Sequence, residues 1–319
     1  MEFGALVISL DFELYWGVRD KRSLAQYGRN ILGGRKAIPR MLDLFAERDV
    51  GATWATVGFV FCGSKDELME ARPHVLPHYV DPRLSPYDFS SIGKDESADP
   101  YSFGQSLVQK IKQYDRQEIG THTLSHFYCL EEGGTREAFA ADLDGAKAMA
   151  ARNGVTLRSI VFPRNQVCRD GLRIARERGL IAFRGNPRVW FNRACPDAEQ
   201  TLPKRAVRLA DTFLPVAGRH VAEPSEVEGM IDVPASRFLR PVRGAWHERF
   251  QFDRIVGQMT AAAKTNTLFH LWWHPHNFGA DPEANLVFLR QILDRYAILR
   301  DRFGMRSLNM SEVAERVLQ

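Results

Sequence analysis

Short apolar runs that stop abruptly at a charged or imidazole side chain recur along this chain, and they restrict the fold more than any other feature. Residues 5–10 form the first, ending on Asp11 and Glu13. Others are 52–60, 118–121 before His122, 159–162 before Pro163-Arg164-Asn165, 180–183 before Arg184, 230–233, 268–273 before His274, and 305–308. Runs this short, apolar at consecutive positions, predict strands buried on both faces of a parallel sheet. Between them lie helical stripes: 35–48, with Ile38, Met41, Leu42 and Phe45 on one face, then 102–114, 135–152 behind the cap Thr135, a helix capped by Asp170 and ending at Gly179, 249–264, 283–302 and 311–318. Seven or eight strands separated by helices predict one α/β domain over residues 1–319. A barrel gathers the polar strand ends Asp11, Glu13, His122, His126, Arg164, Arg184, His274 and His276 around one mouth. A doubly wound sheet would string them along an edge, and no GxGxxG follows the first strand to support a dinucleotide site.

Two segments break the alternation. Residues 18–34, with Arg19, Lys21, Arg22 and Arg29, read as a basic loop, and residues 62–100, rich in Pro, Ser, Asp and Gly, as an insertion over the barrel mouth. His74, His78, Tyr79 and Tyr87 are its candidate sugar contacts. The net charge of +4 is mild, and no basic run with interleaved aromatics points to nucleic acid. Four cysteines without a CxxC fit free thiols in a reducing compartment. An N-terminal apolar run cut by Asp11 and Glu13 is not a secretory signal, and no apolar stretch of about 18 residues is present, so the expected location is the cytoplasm.

Three histidine pairs have i, i+4 spacing: His74/His78, His122/His126 and His270/His274. Pro73 and Pro77 argue against a helix at the first, and the third lies in a strand-like run. His122 and His126 follow a short strand; on the first turns of a helix they would share one face and turn two imidazole nitrogens on one cation. A catalytic centre wants about three protein ligands and an open position. A site of His122, His126 and Cys129 is the alternative that leaves out the acids.

In these residues the chain resembles the polysaccharide deacetylase family, carbohydrate esterase family four. The resemblance rests on Ser9-Leu10-Asp11-Phe12-Glu13, Ala52-Thr53-Trp54, Glu118-Ile119-Gly120-Thr121-His122 with His126, and Leu271-Trp272-Trp273-His274-Pro275-His276. It implies a distorted (β/α)7 barrel and a divalent metal, zinc first among candidates, on Glu13, His122 and His126. It also implies Asp11 as general base, His274 as general acid and Arg164 as the partner of Asp11. The family's adjacent aspartates are here separated by Phe12, so exchange of the roles of Asp11 and Glu13 stays open. Pro163 precedes Arg164, the reverse of the family's third motif. Arg184 and Trp190 are candidates for the fourth, and Trp16, Asn165, Arg184 and His276 are the candidate substrate contacts.

The implied reaction is removal of acetate from an N-acetylated sugar, on a nucleotide or lipid carrier in surface polysaccharide (O-antigen) biosynthesis. Two alternatives are a metal-independent cyclic-ureide amidohydrolase of the same fold and a carbohydrate-binding barrel without catalysis.

Overall fold

The computed structural model describes residues 1–213, 218 and 220–319. In chain order the elements are β1 (Ala5–Phe12), α1 (Leu24–Glu47), β2 (Ala52–Thr56), α2 (Lys65–Glu70), α3 (Gln105–Ile111), β3 (Gln117–Thr121), α4 (Arg136–Arg152), β4 (Ser159–Ile160), α5 (Arg169–Glu177), β5 (Ala182–Phe183), α6 (Leu202–Phe213), β6 (Ser225–Val227), β7 (Met230–Asp232), β8 (Arg237–Phe238), α7 (Ala245–Thr265), β9 (Leu268–Trp273), α8 (Pro275–Phe278), α9 (Pro282–Phe303), β10 (Arg306–Leu308) and α10 (Met310–Leu318).

One curled sheet runs β6-β7-β5-β4-β3-β2-β1-β9-β8, with β10 also on β1. Every pairing is parallel except the β6–β7 hairpin. The chain between β7 and β8 closes the curl. Val233 and Ala235 donate their N–H groups to Phe183 and Gly185, and Ser236 and Leu239 donate theirs to His270 and Trp272. The irregular β7–β8 stretch thus serves as one stave between β5 and β9, and the result is a distorted (β/α)7 barrel.

Strand periodicity separates two cores. Ala5, Val7, Ala55, Val161, Ala182, Ile231, Val233 and Leu268 form a cluster with Met310, Val313 and Ala314 of α10. Glu118 fixes that helix, accepting hydrogen bonds from Thr53 and Ser159 (both 2.7 Å) and from the Ser311 N–H (3.1 Å) and hydroxyl. The larger core holds Leu6, Ile8 and Leu10 with Trp54, Trp273 and Phe45 of α1. Bottom-sealed in this way, the barrel offers its polar residues at the opposite end.

Several boundaries differ from expectation. Residues 18–34 are not all loop: α1 starts at Leu24 because Ser23 and Gln26 form a reciprocal cap. The second strand ends at Thr56, where a 3-10 turn Gly58–Phe61 takes over. Cys168, not Asp170, caps α5. Residues 62–100 contain α2 and a 3-10 turn, Pro82–Leu84, and are pinned by Asp99, which accepts from the N–H groups of Gly93, Tyr101 and Ser102. Within them His74 and His78 are exposed, while Tyr79 and Tyr87 are buried, Tyr87 donating to Asp142 (3.3 Å).

Candidate metal and acid–base site

Ser9 and Asp11 alternate on β1, and Glu13 follows just beyond the strand end, so the chain delivers two acids to the polar end of the barrel. Glu13 Oε2 lies 3.2 Å from His126 Nε2 and 3.4 Å from His122 Nε2. All three side chains are buried, and one ligand atom from each falls within 4.8 Å of the others. Gly17 permits this: a Cβ there would stand 2.0 Å from Glu13 Cδ.

The two histidines do not ride a helix, contrary to the sequence expectation. Residues 122–130 form an irregular loop in which Thr123 (φ 65°) and His126 (φ 63°) take the left-handed conformation. Other partners claim the backbone groups a helix would need. The carbonyls of Thr123 and Leu124 accept from Gly58 and Phe59, and the Leu124 N–H (2.7 Å) and Ser125 hydroxyl donate to the buried carboxylate of Asp142. Left-handed residues of this kind cost about 1–3 kcal/mol each and persist only when their surroundings over-determine them. Cys129 is turned to Cys168, not to the imidazoles, which removes the His122/His126/Cys129 alternative.

The donor set suits a divalent cation. His122 Nδ1 lies 2.8 Å from the Val161 carbonyl, which only accepts, so Nδ1 carries a proton and Nε2 is the atom turned on Glu13. Burial raises the Glu13 carboxyl, but the charge of His274 and the hydrogen bonds of His122 and His126 outweigh it and hold Glu13 well below the usual carboxylate range. Burial pushes His126 down to about 4, keeping it a neutral donor. Two imidazoles and a carboxylate are an ordinary zinc set.

Asp11 has a different environment. The Arg184 guanidinium meets it with two parallel hydrogen bonds, Nη1 to Oδ1 (2.6 Å) and Nη2 to Oδ2 (2.8 Å). Arg184 also donates to Ser9 Oγ and Asn165 Oδ1 (both 3.0 Å) and lies 4.1 Å over the Trp272 ring. Burial raises the Asp11 carboxyl; Arg184, with help from His122 and His274, brings it below its ordinary value. His270, buried on β9, holds Ser9 from the other side at 2.8 Å.

Arg164 is therefore not the partner of Asp11. Arg164 (φ 52°) and Asn165 (φ 53°) are consecutive left-handed residues at the end of β4, and Arg164 pairs with Asp20 and with Glu131 (3.5 Å) and covers the Tyr128 ring at 4.2 Å. Trp16 is also displaced from its expected place against substrate: it is 3% exposed, packs on Phe59 and gives its indole N–H to the Ser102 carbonyl. His276 is buried, stacked on His274 at 5.0 Å between ring centroids, with Nε2 3.9 Å from Glu13. Close approach of α8 to α1 sets this stack, for a Cβ on Gly34 would stand 2.7 Å from His276 Cα.

His274 is the partly open imidazole, its side chain 23% exposed, with Nε2 3.7 Å from Asp11 Oδ2 and 3.6 Å from Glu13 Oε1. Its Nδ1 faces Asn277 Oδ1 at 3.2 Å. Ser9, His270 and Asn277 are parts of this network that the sequence reading passed over. Ser9 was detectable, lying two residues before Asp11 on the same strand face.

No family model matches the chain, and no curated protein sequence matches it. Solved structures do match. A candidate polysaccharide deacetylase from Mycobacterium smegmatis superposes with a TM-score of 0.60 at 13% identity, over 99% of this chain and 91% of that one. A probable polysaccharide deacetylase from Pseudomonas aeruginosa PAO1 gives 0.57 at 10%, over 98% and 90%. Puue allantoinase gives 0.55 at 11%, over 98% and 90%. At these identities the likeness is one of fold, which this chain shares with proteins of more than one activity.

Proposed function

We propose that this protein is a metal-dependent hydrolase that removes the acetyl group from an N-acetylated sugar. The observation that carries the reading is the convergence of Glu13, His122 and His126 beside a second acid, Asp11, that is clamped separately by Arg184. Glu13, His122 and His126 would hold the divalent ion, zinc being the first candidate. When bound, such an ion acidifies a water and polarises an amide carbonyl.

The chain's own residues supply the proton transfers. Asp11, kept ionised by Arg184, accepts the proton of the attacking water. His274, within reach of both acids and partly open, delivers a proton to the departing amine. Asn277 at Nδ1 keeps Nε2 of His274 turned to the reaction, and His270 through Ser9 keeps Arg184 on Asp11. Arg164 and Asn165 belong on the substrate side. The fine reading is a sugar on a nucleotide or lipid carrier for a surface polysaccharide, handled in the cytoplasm; the four unpaired cysteines suit that compartment.

The test is acetate release from a broad panel of N-acetylated sugars, free and carrier-linked, with zinc and after chelation. Release that stops on chelation and in Asp11→Asn supports the reading, and no release from any member counts against it. The fold shared with Puue allantoinase keeps a second reading in view, hydrolysis of a cyclic ureide without metal. That reading requires turnover of allantoin that chelation leaves intact.

A further inference from the structure

A cavity of about 400 Å3 opens beside His274, Asn165 and Trp272, and its far wall is cationic. Six arginines line it: Arg164, Arg193, Arg205, Arg208, Arg237 and Arg240. Two are neutralised, Arg164 by Asp20 and Glu131, and Arg237 by Asp211 at 3.6 Å. The other four form no salt bridge within 4 Å among the described residues, although the charge of Arg205 reaches Asp197 and Asp211 also lines the cavity. Arg208 is tied to the Gln200 side chain and the Lys204 carbonyl, and Arg240 to the Thr212 hydroxyl. Arg205, on α6, and Arg193 are exposed. Like charges gathered in this way repel, and burial adds to the cost; desolvation first, then Arg243 and Arg208, lowers the Arg240 pKa. An anion entering here would offset that repulsion, and planar guanidinium forks match phosphate oxygens.

We propose that this wall binds a diphosphate, the anionic link of an activated sugar whose acetamido group reaches His274. This rests on the deacetylase reading for the identity of the sugar but not for the binding site itself. The cavity runs continuously from Arg205 and Arg208 to His274, and its volume suits a ligand of that size. The diphosphate could come from a nucleotide or from a prenyl carrier, and the two share the chemistry recognised here.

The test is calorimetric titration of the full-length protein, stripped of metal by chelation so that the anion has no metal to bind. Inorganic pyrophosphate is the probe, at about 50 mM salt. Saturable binding is expected, weakened at least about tenfold in Arg208→Gln/Arg240→Gln and about threefold or more in Arg193→Gln, whose side chain is exposed. No saturable binding, or affinity unchanged in these variants, overturns the proposal. Uridine diphosphate binding tighter than pyrophosphate identifies a nucleotide source, and farnesyl diphosphate binding tighter identifies a prenyl source. Diphosphate binding without acetate release from any sugar defeats the deacetylase reading and leaves this site standing. Hydrolysis of neutral acetylated sugars without diphosphate binding does the reverse.

Discussion

Replacing Arg184 by Met leaves the Asp11 carboxylate buried without its counter-ion. The pair is almost completely enclosed, with side-chain exposures of 0% and 4%, and its two hydrogen bonds are 2.6 and 2.8 Å. Breaking one side of such a pair costs about 3–5 kcal/mol, most of it the penalty on the orphaned charge. For 319 residues the unfolding entropy is about 0.7 kcal/mol/K, so the expected fall in Tm is roughly 5–8 °C. The pH dependence gives a sharper signature. With Arg184 in place the folded-state pKa of Asp11 lies below its unfolded value, so the pair stabilises above that unfolded value and the contribution is lost as pH falls through the folded one. Without Arg184 the carboxyl rises above the unfolded value, so stability decreases as pH rises from about 4. The deficit of the variant is therefore largest at pH 7 and shrinks in acid. Calorimetry on metal-free protein from pH 4 to 8 measures it, with Arg184→Met/Asp11→Asn completing a cycle in which the double variant recovers about 2 kcal/mol or more. A deficit independent of pH, or additive losses in the double variant, would refute the assignment of Arg184 as the group that keeps Asp11 charged.

Asp142→Ala strips the acceptor from the Leu124 N–H, the Ser125 hydroxyl and Tyr87; about 3 kcal/mol of stability and at least tenfold in zinc affinity should go, read by denaturation and competition with a chelating dye. Gly17→Ala drives a methyl into Glu13, so metal affinity should drop by about tenfold or more while Tm in the metal-free form moves little. Asp232 is raised to about 6, chiefly by burial, so its ionised form destabilises the fold above that pH. Asp232→Asn should add about 2 kcal/mol at pH 7.5 and flatten the decline of stability between about pH 4 and 6, measured by urea titration.

How much was legible in the sequence follows from the range of the interactions. Strands show in local runs, so β1, β3 and β9 stood out, and with them Asp11, Glu13, His122, His126 and His274. The pairing of Asp11 depends on where β5 ends relative to β1, 173 residues away in sequence, and no local pattern distinguishes Arg184 from Arg164. The left-handed turn at Arg164 and Asn165, which directs Arg164 to Asp20, leaves no mark in composition. Spacing of four suggested a helix for His122 and His126, whereas tertiary partners, Asp142 and the backbone at Gly58 and Phe59, hold a loop that brings the same two nitrogens together. Trp16 was mistaken for a substrate contact because its aromatic ring fits either role and only burial decides.

The most direct measurement is elemental analysis of protein purified without chelator, beside Glu13→Ala and His122→Ala. The expected result is about one equivalent of a divalent metal per chain in the parent, less than about a tenth in either variant, with all three folded by circular dichroism. A parent that takes up no metal from zinc-supplemented buffer, or variants that retain a full equivalent, would contradict a shared ion on Glu13, His122 and His126.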